Sequence, residues 1–574
     1  MLGGGEVRRT SLRKEGLIII TKAFFQRQHP WFDAGILGLY EIAIQEGIDQ
    51  KYNVEIVLND DSVSLKAESI EMVKECVEEC YEILASHWWN VSTIKQQADP
   101  KAVFYKPDSD EFELRAKRNP TPIPALFTKG TSWRFINKES AIDYKDLSPE
   151  MKKSVDEFIR EHSTSLWGTS RKLLVEDPVC HKKIEFFPLE KGQKKICSVC
   201  GAMSSNCVDV SQPTYLLFAS NTAAKSFNSE AREPGKVCWE CEMLGKFAIE
   251  SVSYHKSFDD LFVLVINSPN LVKAHQINKK IGYGSLLRVI KKDDFNSNIR
   301  YEGSLIQFTK LPYEFLWAFF TLAYETISEN MKVEQEKEAI DVLEELLHMT
   351  LDQSPVEIIL FMISSKGQTF MTKEIINYNE PAYAFRLLHL LSEYEIPTKA
   401  LFNQLWVKDE KDRYSLFRNK FFRKVLYRKS ILTALEEFAF HQSLGKQDFY
   451  LADLLKFVMK YEIWVRGVTM TEQQIEIAVN LGKSIVLQAR ETIDNQEEIK
   501  KIKGDLFALR KTRTKEAFLN QLNTLQMRYG LIVSNALQDG IMNQTPFDEF
   551  KAYCLLGALN TYNSINKVKK GEEK

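Results

Sequence analysis

Cys197-Ser198-Val199-Cys200 and Cys238-Trp239-Glu240-Cys241, separated by thirty-seven residues, decide how this chain is read. A CxxC turn aims two sulfurs at one point, and two such turns close a tetrahedron around one ion with metal–sulfur bonds of about 2.3 Å. Four soft ligands select zinc, and a closed shell leaves no position for water. The expectation is therefore a structural zinc held by Cys197, Cys200, Cys238 and Cys241. Lys194, Lys195 and Lys236 stand beside the knuckles and favour thiolates. The competing readings are an unmetallated thiol cluster and a CxxC thiol-disulfide oxidoreductase; the second predicts one CxxC at a helix start in a βαβ context, whereas here there are two, far apart. Cys180, His181 and Cys207 lie near enough to substitute as ligands but read more simply as buried small residues or surface thiols. Cys76, Cys80 and Cys554 fall in helical patterns and read as core. The connecting loop is long for a zinc ribbon, which points to a role of its own.

Outward from the cysteines, residues 213–218 and 261–266 are aromatic and β-branched, so strands are expected on both sides and the module is embedded in a domain. Nearer the N-terminus, residues 16–20 read as a first strand, 53–58 as another, and 68–84 as a helix. Asn119-Pro120-Thr121-Pro122-Ile123-Pro124 reads as an extended loop. After about residue 310 strand signals fade and helical periodicity takes over. Thr471 with Gln474 has the form of a capping box, and Thr545-Pro546 places a hydroxyl cap before a proline. Leu506, Leu509, Phe518, Leu519, Leu522, Leu525, Tyr529, Ile532 and Val533 keep the spacing of one buried helical face. The expected fold class is α+β. A mixed α/β domain covers 1–195 with the zinc-knuckle module, 196–242, inserted in it; a mixed then helical middle region covers 243–429, and an all-α bundle covers 430–574, with a solvated tail over 567–574.

The chain has 574 residues, 44% of them hydrophobic and 27% charged, which is ordinary for a folded protein of several domains. Its net charge is -2, so any grip on phosphate must come from local basic faces. No stretch has the apolar length of a membrane span or a secretory core, and nine cysteines are too few for a disulfide scaffold in a chain this long. The expected location is the cytoplasm, where thiols stay reduced and open to metal.

Together with the cysteine pairs, Trp31-Phe32-Asp33-Ala34-Gly35-Ile36-Leu37-Gly38-Leu39 near the start, and Leu481-Gly482-Lys483-Ser484-Ile485, Phe518-Leu519 and Phe550-Lys551 towards the end, resemble the large subunit of type I CRISPR interference complexes, in the branch named for its paired CXXC motifs. These features span nearly the whole chain, although residues 270–430 add little. The resemblance implies a subunit of a CRISPR RNA-guided complex that reads the short motif flanking the target in duplex DNA, supports R-loop formation with its displaced strand, and recruits a separate helicase-nuclease. Its expected partners are the CRISPR RNA, the backbone and other subunits of the complex, and the target DNA. The family's C-terminal helical region resembles a free-standing small subunit that some relatives make from an internal start, for which Met459 and Met470 are the candidates here. The resemblance carries no DNA-reading residues over position by position.

The residues themselves supply weaker candidates. From 411 to 430 there are eight basic residues and one acidic, a local charge of +7 that includes Arg418, Lys420, Arg423, Lys424 and Arg428. A second run, 498–515, carries seven basic against two acidic residues, for +5, with Lys511 and Arg513 among them. Such clusters release counterions from phosphates, and the alternative is a solvated helix face. Phe417, Phe421, Phe422 and Tyr427 interleave the first run and either stack on bases or pack as core. Between the knuckles, Asn221, Lys225 and Asn228 have the chemistry to read base edges, while a surface loop bonded to itself is the plainer reading. Gly282-Tyr283-Gly284 reads as a turn, His87-Trp88-Trp89 as packing, and the acidic run 329–345 as a solvated helix face. No HExxH, Walker loop, nucleophile elbow or carboxylate cluster at metal spacing is found, so a non-enzymatic role is expected. A free-standing zinc-dependent nucleic-acid-binding regulator and the oxidoreductase are the alternatives.

Overall fold

The computed structural model describes residues 21–90, 92, 94–116, 132–134, 140–181, 184–212, 214–217, 235–258, 260–281, 296–299, 304–333, 355–366, 369–405, 413–444, 451–467, 469–492, 496–533, 537 and 541–572. Several sequence expectations lie outside them: the strand at 16–20, the loop at 119–124, the turn at 282–284, and most of the acidic run 329–345. The chain is mixed α/β towards its N-terminus, holds the four-cysteine cluster, and is all-helical towards its C-terminus, as its periodicities suggest. It divides into two compact units, Met1–Gln307 with Glu325–Ala382, and Phe308–Tyr324 with Tyr383–Lys574. Among the described residues no helix is long and apolar enough to cross a membrane.

The first unit starts with an antiparallel sheet in the order β1 (Thr21–Gln26), β3 (Ser62–Ala67), β2 (Glu55–Leu58), whose alternation sends Ala23, Phe25, Val63 and Leu65 inward. Helix α1 (Pro30–Gln45) begins where the His29 ring accepts a hydrogen bond from Trp31 N at 3.2 Å and Pro30 occupies the first turn. Helix α2 (Ile70–Trp88) is capped by the Ser69 hydroxyl and buries Val73, Val77, Tyr81, Leu84 and Trp88 at three-to-four-residue spacing. Trp88 and Trp89 are buried, as their apolar surface requires. A second sheet, β5 (Glu111–Arg115), β4 (Ala102–Lys106), β7 (Lys172–Leu174), β6 (Ala141–Asp143), packs with helix α3 (Pro149–Glu161) around a small core of Val103, Leu147, Val155, Leu166 and Leu173.

The cysteine module follows as two short antiparallel ladders, β8 (Lys195–Ile196) with β9 (Met203–Ser204) and β10 (Cys207–Asp209) with β11 (Lys236–Cys238), leading straight into helix α4 (Trp239–Ser251). A β-carbon on Gly35 would collide with the Leu244 carbonyl, and one on Gly38 with the Phe247 carbonyl. The glycines of the N-terminal motif thus let α1 lie backbone-close against the helix that carries Cys241. Residues 214–217 form a turn and not the expected strand: Trp31 Nε1 donates to Thr214 O at 3.1 Å, and Tyr215 and Leu216 are drawn into the core. The largest sheet runs β12 (Ser253–Ser257), β13 (Asp260–Asn267), β14 (Glu357–Lys366), β15 (Thr369–Tyr378), all antiparallel. Its last two strands correct the reading that strand signals fade after about residue 310. They place 357–378 in the first unit, because β14 pairs along the full length of β13.

The second unit is helical: part of α5 (Pro312–Val333), most of α6 (Pro381–Glu393), then α7 (Thr398–Gln404), α8 (Arg413–Leu426), α9 (Leu432–Leu444), α10 (Ala452–Arg466), α11 (Glu472–Glu491), α12 (Gln496–Lys511), α13 (Lys515–Tyr529) and α14 (Phe547–Glu572). The expected border at 429/430 falls inside this unit, since Phe417 of α8 stacks on Phe438 of α9 with ring centroids 4.3 Å apart. The capping box at α11 forms as read, Gln474 N donating to Thr471 Oγ1 at 3.2 Å and Thr471 N to Gln474 Oε1 at 2.9 Å. The apolar face read over 506–533 is split between α12 and α13, and leaves Leu519 and Ile532 exposed. α14 continues through most of the stretch read as a tail.

Candidate metal centre and basic surface

The four cysteines converge. The sulfurs of Cys197, Cys200, Cys238 and Cys241 all lie within 4.8 Å of one another, although they come from two hairpins and a helix. Tetrahedral bonds of about 2.3 Å require sulfurs about 3.8 Å apart, and Cys200 Sγ sits 3.7 Å from Cys238 Sγ. The first knuckle closes through Gly201, which donates to Cys197 O at 2.9 Å and takes a φ of +75°, a conformation that favours glycine. The turn then points Ala202 N at Cys200 Sγ, 3.4 Å away. The second knuckle opens α4: Cys238 is its N-cap and Cys241 lies in its first turn, where the positive end of the helix dipole stabilises sulfur anions. Cys238 N donates to Cys197 Sγ at 3.3 Å, and Ser198 N to Lys236 O at 2.7 Å, which locks the two knuckles together. A β-carbon on Gly235 would strike the Ser198 hydroxyl.

Burial encloses three of the four sulfurs and leaves Cys200 partly exposed. Cys197, Cys238 and Cys241 are 1%, 3% and 0% exposed, inside the same core that holds Phe25 and Trp31. Trp239, between the two sulfurs of the second knuckle, packs its ring 4.8 Å from Phe187. Hydrogen bonds from Cys200, then from Cys238 and Cys241, hold the Cys197 thiol far below its usual range, while the bonds Cys241 makes to Cys197, Cys200 and Cys238 push Cys241 far above it. Four sulfurs this close cannot all be anionic without a cation among them, so the donor set fits a soft divalent ion. Sequence reasoning missed Gln28, whose Oε1 accepts from Cys241 Sγ at 3.3 Å. Close by, Asp33 is buried, pairs with Arg27 at 3.1 Å, and has its carboxyl pushed up to about 6 by desolvation. Only the strand-to-helix turn at Gln28 and His29, close to a motif already conspicuous for its glycines, hints at these residues.

Among the described side chains, the other cysteines stay out of the shell. Cys76, Cys80 and Cys554 are fully buried, as core residues should be; Cys207 is half-buried and bonds the Ser204 carbonyl at 3.4 Å. Cys180 and His181 lie in the strand Val179–His181, paired with Ser132–Arg134. Lys236 is taken up by Asp209 across the β10–β11 ladder.

The nucleic-acid candidates divide. Asn221, Lys225 and Asn228 lie outside the described residues. Arg418 is corrected: it is 1% exposed, its Nε donates to Glu314 Oε1 at 2.8 Å and its Nη2 to Phe308 O at 2.9 Å, and it stacks over Phe402. A guanidinium so enclosed holds helices together and does not face phosphate. Phe421 and Phe422 are likewise core, Phe422 stacked on Trp317 at 4.8 Å, which removes them as base platforms. Lys420, Arg423 and Lys424 are exposed along one side of α8, with Arg428 and Lys429 just beyond its end. Arg423 lies over Tyr313 at 5.5 Å and Arg428 over Tyr383 at 4.4 Å. Lys511 at the end of α12 and Arg513 just beyond it are exposed, while Arg510 is drawn to Glu436 at 2.7 Å. Comparison of the chain with models of known protein families and with curated proteins finds no match.

Proposed function

We propose that the four cysteines hold one structural zinc ion, and that the chain is a non-enzymatic, nucleic-acid-binding large subunit of a CRISPR RNA-guided DNA surveillance complex. The single observation that carries the metal is the convergence of four sulfurs with spacing close to a tetrahedral edge. Against an oxidoreductase stands the gathering of four thiols at one point where that chemistry uses two, with three of them at most 3% exposed and Cys200 alone partly open. The exposed basic side of α8, with Arg428 and Lys429 beyond it, supports a phosphate contact. The family part of the proposal rests on the motif resemblance. In this reading zinc pins α4 against α1, and the stiffened module presents its connecting loop to duplex DNA beside the target, while a separate helicase-nuclease cuts. The cytoplasm is the compartment that suits such work.

Two measurements test it. Replacing Cys238 and Cys241 with serine is expected to drop zinc from near one ion per chain to near none; unchanged zinc in that variant removes the metal site. Native mass spectrometry of the tagged chain from its own host is expected to find it with a guide RNA and sibling subunits. Recovery as a lone DNA-binding protein would instead favour the zinc-dependent regulator.

A further inference from the structure

The outer side of the first knuckle is apolar. Ile196 and Met203 face each other across the β8–β9 ladder, 64% and 56% exposed, while their neighbours Cys197 and Ser204 turn inward. Leu189, 70% exposed, is tied to the same edge, since Asn206 Nδ2 donates to its carbonyl at 3.3 Å and Lys191 N to Ser205 Oγ at 2.9 Å. Single exposed apolar side chains are ordinary, but several gathered on one edge make a patch that suits a partner. Around them stand Lys191, Lys194 and Lys195, all exposed and, among the described residues, in no ion pair. Glu190, close enough to Lys194 to feel its charge, is folded back onto the hairpin by Ser204 Oγ at 2.7 Å and by Ser205 N at 2.7 Å.

We propose that this hairpin is a nucleic-acid contact in its own right, distinct from the Asn221, Lys225 and Asn228 candidates: Ile196 and Met203 press against or between bases at one step of a duplex, and Lys191, Lys194 and Lys195 hold the phosphates on either side. This rests on the proposed DNA-binding function and deepens it. Lysines around the apolar pair call for a polyanion, and wedging a base step needs only one or two apolar side chains on a rigid support. An anionic membrane suits the patch less well, because three side chains supply little of the apolar area on which membrane binding scales. The four-sulfur shell directly behind Ile196 is that rigid support.

The test uses the full chain with its zinc, a short duplex carrying 2-aminopurine as a reporter of unstacking, and anionic phospholipid vesicles. The double variant Ile196→Ser, Met203→Ser and the triple variant with Lys191, Lys194 and Lys195 each replaced by Glu change only exposed side chains, and zinc content checks that each remains folded. The apolar variant is expected to lose the rise in 2-aminopurine fluorescence while keeping the salt dependence of binding. The lysine variant is expected to lower the log–log salt slope by about 2.7, for three phosphate contacts. If the parent binds duplex DNA and both variants behave like it, the hairpin proposal is wrong and the broader function stands. If the parent binds no DNA, both fall. Vesicle binding lost in the variants, with DNA binding intact, assigns the patch to a membrane and overturns the proposal.

Discussion

Arg418 shows what one residue can hide. Its place in a run of eight basic residues suggests phosphate, yet the structure gives it to Glu314, whose side chain is 0% exposed. Burial lowers the affinity of the guanidinium for its proton and the Glu314 carboxylate partly restores it, so the two charges exist there only as a pair. Arg418→Ala is expected to destabilise the second unit by about 3–5 kcal/mol, because it strands a buried carboxylate. Arg418→Lys recovers only part of this, since a point charge cannot replace the planar fork. Denaturant midpoints check both, and the salt slope of DNA binding should stay put. Nothing local in the sequence couples residues 314 and 418; only the folded helices bring them together. The cysteines were legible for the opposite reason, because thiol chemistry at CxxC spacing has few other uses.

At the scale of elements, helices α11 and α14 cross at mutual glycines: a β-carbon on Gly482 would strike the Cys554 carbonyl, and one on Gly557 the Val479 carbonyl. Gly482→Ala is expected to cost about 1–3 kcal/mol through overpacking, even though alanine is the better helix former. A rise in melting temperature for that variant would show that the contact is loose. Charge reversal at Arg423, Lys424 and Arg428 is expected to lower the salt slope of binding by about 2.7 and to weaken DNA of any sequence alike; an unchanged slope removes α8 from the interface. Periodicity served well for amphipathic helices such as α2 and α11, whose one buried face imposes a pattern. It failed for β14, where Ile358-Ile359-Leu360-Phe361-Met362-Ile363 is apolar on both sides. A strand covered on both faces and a buried helix look alike over six residues, and only pairing with β13 and β15 decides between them.

The whole molecule has two units, and the cysteine shell belongs to the first. Calorimetry is therefore expected to resolve two unfolding transitions. Stripping metal with a strong chelator should lower the one belonging to the first unit by several degrees and leave the helical one in place, as ion binding is linked to folding only where the ligands lie. A single transition that moves as one would contradict this. The antiparallel sheet of the first unit carries a consequence for biosynthesis. β13 emerges from the ribosome well before its partner β14, with the stretch 268–356 between them. At about 5–20 residues per second, the apolar edge of β13 waits about 5–20 s for β14 and β15. Thiols up to Cys241 have already left the tunnel by then, so a cation captured early can organise α1 and α4 while the sheet is half made. Starving a translating cell of zinc should accordingly harm the yield of new protein far more than it harms molecules already complete.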